Sequence, residues 1–305
     1  MNTSIERRSF LKTAGLAAAA ISAAQTPFAR ADEKDKKMKK AVGMGMIGEK
    51  KSPLGERMKM VRELGFDGVE LVSPGIADRD GLKKALDDAK LEVSEILSGG
   101  DWASPITSAN EETRSKCLIN LKTAMEDAKF FGTSSVLFVP GVVNKNIGYD
   151  DAYKRAHDGI KSMLPVAQEL GVKIAVENVW NDFLLSPLEM ARFIDEFESP
   201  WIGAHFDVGN VASIGYPEQW IKILNKRILK LHIKEFNKKV ATDSGKWKGF
   251  SWKLGDEGGI DWPSVVKALN EIGYTGWATA EFGGGDRAVL EDVAARMDKV
   301  LQLKK

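Results

Sequence analysis

A single (β/α)8 barrel is the fold this chain of 305 residues predicts. Short β-like runs alternate with amphipathic helical stretches eight times, an order that makes the strands parallel and closes them into a ring. The last four runs each end in a residue that can bind a divalent metal: Glu177, Asp207, His232 and Glu281. Ends of successive strands meet at the C-terminal mouth of such a barrel, where its chemistry is placed.

The elements follow in order. Strands are expected at 41–47, 68–72, 92–97, 135–139, 173–177, 202–207, 229–233 and 277–282, each a short run rich in apolar or β-branched residues. Helical periodicity fills the gaps: SPLGERMKMVRELG, LKKALDDAK, RSKCLINLKTAMEDAKFFG, AYKRAHDGIKSMLPVAQELG, SPLEMARFIDEFE, PEQWIKILN, WPSVVKALNEIG and LEDVAARMDKVLQ. Several open on Ser-Pro or close on glycine, as helix ends do. No G-x-G-x-x-G fingerprint is expected to follow any strand, which counts against an open dinucleotide-binding sheet. The longest irregular stretches, 98–111 and 237–260, follow strands three and seven and so cover the mouth.

Residues 1–31 stand apart. Arg7, Arg8, Ser9, Phe10, Leu11 and Lys12 form a twin-arginine segment, a weakly apolar run follows, and Ala29, Arg30 and Ala31 resemble an A-x-A cleavage site. The segment looks like a Tat export signal, so the mature protein is expected to be periplasmic or secreted. Residues 32–40 read as a charged linker and 41–305 as the barrel domain.

Composition excludes some partners. The formal charge of +1 gives no electrostatic case for nucleic acid or an anionic membrane. The apolar run of the signal is too short to span a bilayer, so no membrane span is expected. The one cysteine, Cys117, cannot form an internal disulfide and reads as a small buried residue of a helix. Oligomeric state is left open, a homo-oligomer included.

Three carboxylates and one imidazole make a hard, oxygen-rich ligand set. It suits one divalent ion, Mn²⁺ first, with Mg²⁺, Co²⁺ or Zn²⁺ as alternatives. Four protein ligands leave about two octahedral positions for adjacent oxygens of a small sugar. Such an ion stabilises the enediolate formed when a carboxylate takes the proton beside a ketone.

With VENVWNDFLLSP, HFDVGN followed by GYPEQW, LHIKEF, GDEGGIDWPSVV and the closing ATAEF, the chain resembles the xylose-isomerase-like superfamily of sugar phosphate isomerases and epimerases. The likeness lies nearest the branch of L-ribulose-5-phosphate 3-epimerase, hexulose-6-phosphate isomerase and the D-tagatose and D-psicose 3-epimerases. It implies that Glu177, Asp207, His232 and Glu281 are metal ligands, that Glu177 and Glu281 are also the catalytic acid/base pair, and that the activity is sugar isomerisation or epimerisation. Two positions depart from the ketohexose epimerases: Asn210 stands in place of a substrate-binding histidine, and Phe183 in place of a glutamate. The branch's HW pair after strand three is Asp101-Trp102 here. A phosphate-binding reading could use Gly283, Gly284, Gly285 and Arg287, but three glycines also make a plain turn and export argues against a sugar phosphate. Endonuclease IV shares the barrel but needs many histidines for three zinc ions, and this chain has only His157, His205 and His232.

Further substrate contacts are assigned to Glu70 at the end of strand two, to Trp102 as a stacking ring, to His205 two residues before Asp207, to Asn210, and to Lys234 two residues after His232. Two other activities fit the same site. One is a lyase or hydrolase of 3-keto-glycosides, expelling the leaving group after proton removal; the other is a non-catalytic sugar-binding barrel.

Overall fold

In the computed structural model, residues 38–303 are described, apart from 49 and 257. The export signal and most of the linker lie outside the described residues.

Eight parallel strands close a barrel: β1 Lys39–Gly43, β2 Gly68–Ser73, β3 Glu92–Ser98, β4 Ser135–Phe138, β5 Lys173–Glu177, β6 Ile202–Asp207, β7 Ile228–Ile233 and β8 Trp277–Ala280. Each strand pairs with its neighbours in sequence, and β8 closes on β1 through Lys39 opposite Trp277 to Val42 opposite Ala280. Both faces of these strands are covered, so they read as near-continuous apolar runs; all of Ile202–Asp207 is buried. Outward-facing Val42, Val69, Val136, Ile174 and Phe206 join the core under the helices, which buries Cys117 as expected. Local signals set the helix ends. Asn110 accepts the backbone N–H groups of Glu112 and Thr113 to open Glu111–Phe131, and Gly132 at φ 78° closes it.

Three differences from the sequence-based expectation matter. First, β1 begins at Lys39, inside the segment expected to be linker. Lys40 is buried because its ammonium meets the Asp298 carboxylate at 2.7 Å, so a lysine that looked too polar to pack is held by a partner 258 positions away. Second, Gly43 to Gly48 spells G-x-G-x-x-G directly after β1. It leads into a 3-10 turn over Met44–Met46, not into a helix, and Gly48 donates to Gly285 O at 2.8 Å. The run stitches the first strand's loop to the last and forms no dinucleotide cradle. Third, the stretch 237–260 carries local structure: a helix Lys238–Ser244 capped by Asn237, a turn Lys246–Gly249, and a short antiparallel ladder of Glu235–Phe236 with Phe250–Ser251. Among the described residues no helix is long and apolar enough to cross a membrane.

Strand irregularities aim the site. Pairing of β6 with β7 slips between Ala204 and His205, which sets Asp207 beside His232. Pairing of β2 with β3 slips between Val69 and Glu70, which sets Glu70 opposite Glu95. Each of these glutamates reaches across the barrel interior to a histidine, Glu70 to His232 and Glu95 to His205.

Candidate metal centre

Glu177 and Asp207 are the last residues of β5 and β6, His232 is next to last in β7, and Glu281 follows β8, its N–H donating to Ile233 O at 3.1 Å. Each offers one ligand atom, and the four atoms lie within 4.8 Å of one another. Glu177, Asp207 and His232 are buried, whereas the Glu281 side chain is 41% exposed and faces the mouth.

The imidazole is fixed in place. His232 Nε2 lies 2.8 Å from Glu70 Oε1, a contact in which the ring N–H donates, so Nδ1 is the nitrogen left for an ion, or for a proton when no ion is bound. Nδ1 faces the three carboxylates, 3.7 Å from Glu177, 3.8 Å from Asp207 and 3.2 Å from Glu281. It is buried without a hydrogen bond, as is Asp207 Oδ2. A buried ring nitrogen without a hydrogen bond costs free energy, and a divalent ion at the centre of the three carboxylates would complete it. The donor set therefore fits one hard or borderline divalent ion.

Lys234 supplies positive charge beside the site. Its Nζ lies 2.7 Å from Asp207 Oδ2, at an angle that makes no hydrogen bond, and donates to Glu281 Oε2 at 2.5 Å. Burial opposes its charge, but Asp207, Glu281 and Glu177 push its pKa up, so the amine stays protonated. Burial pushes the Asp207 carboxyl up to about 7, against the pull of Lys234. Burial would also raise Glu281, yet His232 and Lys234 hold it well below the usual carboxylate range. Burial disfavours a charged His232, but Glu70 and Glu281 raise its pKa well above the ordinary value. The cluster thus binds protons on two of the atoms a metal needs.

Backbone and amide groups hold the ligands at their angles. Asp207 Oδ1 accepts the N–H of Asn210 at 2.8 Å and caps the short helix Val208–Ala212. Asn178 brackets the same residue, accepting Asp207 N–H and donating to Asp207 O, each at 2.9 Å. Asn210 Nδ2 reaches Glu177 Oε1 at 3.5 Å and Asn178 O at 3.1 Å.

The remaining candidates divide. Asn210 and Lys234 stand among the four ligands, as described. Glu70 holds the back of His232 and is buried, so it orients a ligand and does not face the mouth. His205 is fully buried, its ring edge-on to His232 at 4.1 Å and its Nδ1 2.5 Å from Glu95 Oε2. The assignment of Glu70 and His205 to direct substrate contact gives way to a positioning role, because both point into the packed barrel interior. Trp102 is 52% exposed on the loop after β3, next to buried Asp101, which accepts from Ser98 Oγ at 3.0 Å and from Val139 N–H at 3.2 Å. At the glycine loop weighed for phosphate, two groups already have partners. Gly285 N–H donates to Met46 O at 3.1 Å, and Arg287 pairs with Glu63 at 3.0 Å. Phe183 is buried among Tyr149, Tyr153 and Phe193. Sequence reasoning missed Asn178, Glu95 and the rings of Trp180 and Phe250. Asn178 was signalled by its place directly after Glu177, Trp180 by its place three residues after Glu177, and Phe250 by the aromatic run WKGFSW at 247–252.

Fold and site together define a parallel barrel with an acidic, single-histidine candidate metal centre at its C-terminal mouth. The chain belongs to the xylose isomerase-like TIM barrel family, whose model matches residues 58–300. Among curated proteins it is similar to the L-ribulose-5-phosphate 3-epimerase UlaE of Escherichia coli O1:K1 / APEC, 24% identical over 286 residues covering 86% of this chain and 97% of that one. Among solved structures it is similar to a D-tagatose 3-epimerase-like protein, with TM-score 0.74 and 20% identity over 87% of this chain and 98% of that one. The 3-keto-D-glucoside 4-epimerase YcjR of E. coli shares the fold at TM-score 0.70 and 18% identity over 86% of this chain and 100% of that one.

Proposed function

We propose that the protein is a divalent-metal-dependent isomerase or epimerase of a keto sugar. The observation that carries this reading is the cluster of Glu177, Asp207, His232 and Glu281, with His232 Nδ1 turned inward by Glu70 and left without a hydrogen bond. The naming of similar proteins as sugar 3-epimerases and a keto-glucoside 4-epimerase supports the same class.

These four residues would hold one ion, Mn²⁺ first among the candidates. Bound there, it would draw negative charge onto the sugar's adjacent carbonyl and hydroxyl oxygens as a proton leaves the neighbouring carbon. Asp207 and His232, both wholly enclosed, mainly hold the site together. Glu177 and Glu281 approach from strands three apart around the ring and are suited to take a proton on one face and return it on the other. Glu281 is ionised and open to the mouth, which makes it a base; Lys234, charged and 2.5 Å from it, neutralises an oxygen of the substrate or of Glu281 as charge moves. Asn210 steadies Glu177 through its amide. Export by the twin-arginine route belongs to the proposal too, resting on Arg7, Arg8 and the stretch Ala29 to Ala31; recovery of the chain only in the cytoplasm of fractionated cells would remove it.

The test is uptake of deuterium. The Mn²⁺-loaded protein is incubated in D₂O with ketoses, ketose phosphates and 3-keto-glycosides, and NMR follows the carbon beside the ketone. The expected result is metal-dependent labelling with formation of the epimer or isomer. Release of a free aglycone from the 3-keto-glycoside assigns the lyase activity in its place, and labelling of no sugar removes catalysis.

A further inference from the structure

Beside the metal centre a tier of aromatic rings runs outward from the mouth. It starts at Phe250, whose ring centroid is 5.2 Å from Lys234 Nζ. Trp180 follows at 4.3 Å from Phe250, and Trp247 at 4.7 Å from Trp180. The tier is anchored at its middle ring. Trp180 Nε1 donates to Asn210 O at 3.3 Å, on the residue whose amide reaches Glu177, and Lys246 Nζ sits 3.7 Å over the Trp180 ring. Trp247 nevertheless remains 74% exposed, its ring tilted at 41° against Trp180. A large ring held at the surface by its neighbours presents an apolar face for a ligand.

The tier reaches farther than the reacting sugar requires. Lys234 already touches the carboxylates that would face that sugar, and the rings continue two steps beyond it. At the last loop Gly285 is tied to Met46 and Arg287 to Glu63. An aromatic face binds the weakly positive C–H face of a pyranose or another ring and gains nothing from a phosphate.

We infer that Trp180, Trp247 and Phe250 form a second subsite for a ring glycosidically attached to the reacting sugar, so that the substrate class is a ring-bearing keto sugar, not a free or phosphorylated monosaccharide. The inference rests on the isomerase or epimerase reading of the same mouth.

Deuterium uptake is compared for D-fructose, D-fructose 6-phosphate, and two disaccharides that carry the same ketose, lactulose and isomaltulose. The wild type and the W247A and W247F variants are each measured with Mn²⁺. Separately, tryptophan fluorescence follows titration of the metal-free proteins with the same sugars. The expected kcat/KM of the better disaccharide exceeds that of either monosaccharide by about tenfold, W247A reduces that preference about fivefold or more, and W247F keeps it. Equal handling of fructose and the disaccharides, a preference for the phosphate, or a preference unmoved by W247A overturns the subsite while leaving the isomerase reading intact. If no sugar is labelled, that reading fails, and fluorescence decides the subsite alone: disaccharide binding that weakens in W247A retains it, and binding indifferent to Trp247 overturns it.

Discussion

Replacing Glu177 with Gln is expected to lower metal-dependent deuterium uptake by about 10³-fold or more, the range over which a positioned acid or base acts. Glu177 is buried, and its Oε1 has His232 Nδ1 at 3.7 Å and the Asn210 amide at 3.5 Å. A glutamine of the same shape can accept that contact through its amide oxygen, so the fold and the position of the side chain survive. What disappears is the capacity to carry a proton. Glu281→Gln is expected to act as strongly for a different reason: it removes the negative charge that faces both Lys234 and His232, as well as the base open to the mouth. Elemental analysis of both variants separates the roles. Retained metal with lost exchange identifies proton transfer as the missing function, and lost metal with lost exchange reduces Glu177 or Glu281 to a ligand only.

The second large effect is on metal binding and its pH dependence. Mn²⁺ at about 100 times its dissociation constant is expected to stabilise the fold by about 2.7 kcal/mol, a rise in Tm of about 5–10 °C. The rise should be larger at pH 8 than at pH 5.5. Asp207 has its carboxyl raised to about 7, so its contribution to the stability of the metal-free fold is present below the ordinary carboxylate pKa and is lost as pH rises through about 7. His232 is raised as well, so its charged form stabilises the metal-free fold below the ordinary imidazole pKa, and that contribution is lost only above the raised value. An ion must displace these protons. Its apparent affinity therefore falls about tenfold per pH unit for each proton displaced, wherever the displaced group is protonated. Glu70→Gln adds a check, since an amide in place of the carboxylate behind His232 should weaken Mn²⁺ by about 10–100-fold. Calorimetry across this pH range measures both. A Tm shift that does not grow with pH, or a Glu70→Gln variant that binds like the wild type, rules out the proposed ligand geometry.

Much of the site was legible because a parallel barrel converts strand ends into neighbours. Glu177 and Asp207 needed only the correct ends of β5 and β6, which short apolar runs mark well. His232 and Glu281 followed from the same rule, although Glu281 falls just past its strand. Less was legible where a contact joins distant segments. Lys40 read as linker because its segment is too polar to pack by itself, and Asp298 gives it a buried partner only once the last helix lies under the first strand. Glu70 and His205 read as substrate contacts because alternation along a strand tells which side chains turn inward, not which of them meet across the interior. The two strand slips that bring Glu70 to His232 and Glu95 to His205 leave no mark on composition.

The sequence by itself determined the barrel, the four ligand types and their common mouth, since period, length and the order of strands and helices are local properties that topology turns into proximity. Only the tertiary structure decided which nitrogen of His232 faces the carboxylates, that Lys234 lies among them, that the glycine run after β8 is tied to the loop after β1, and that Trp180, Phe250 and Trp247 line up from the site outward. Each of these depends on hydrogen bonds and ring contacts between loops far apart in the chain, whose partners are set by packing and carry no periodic signal.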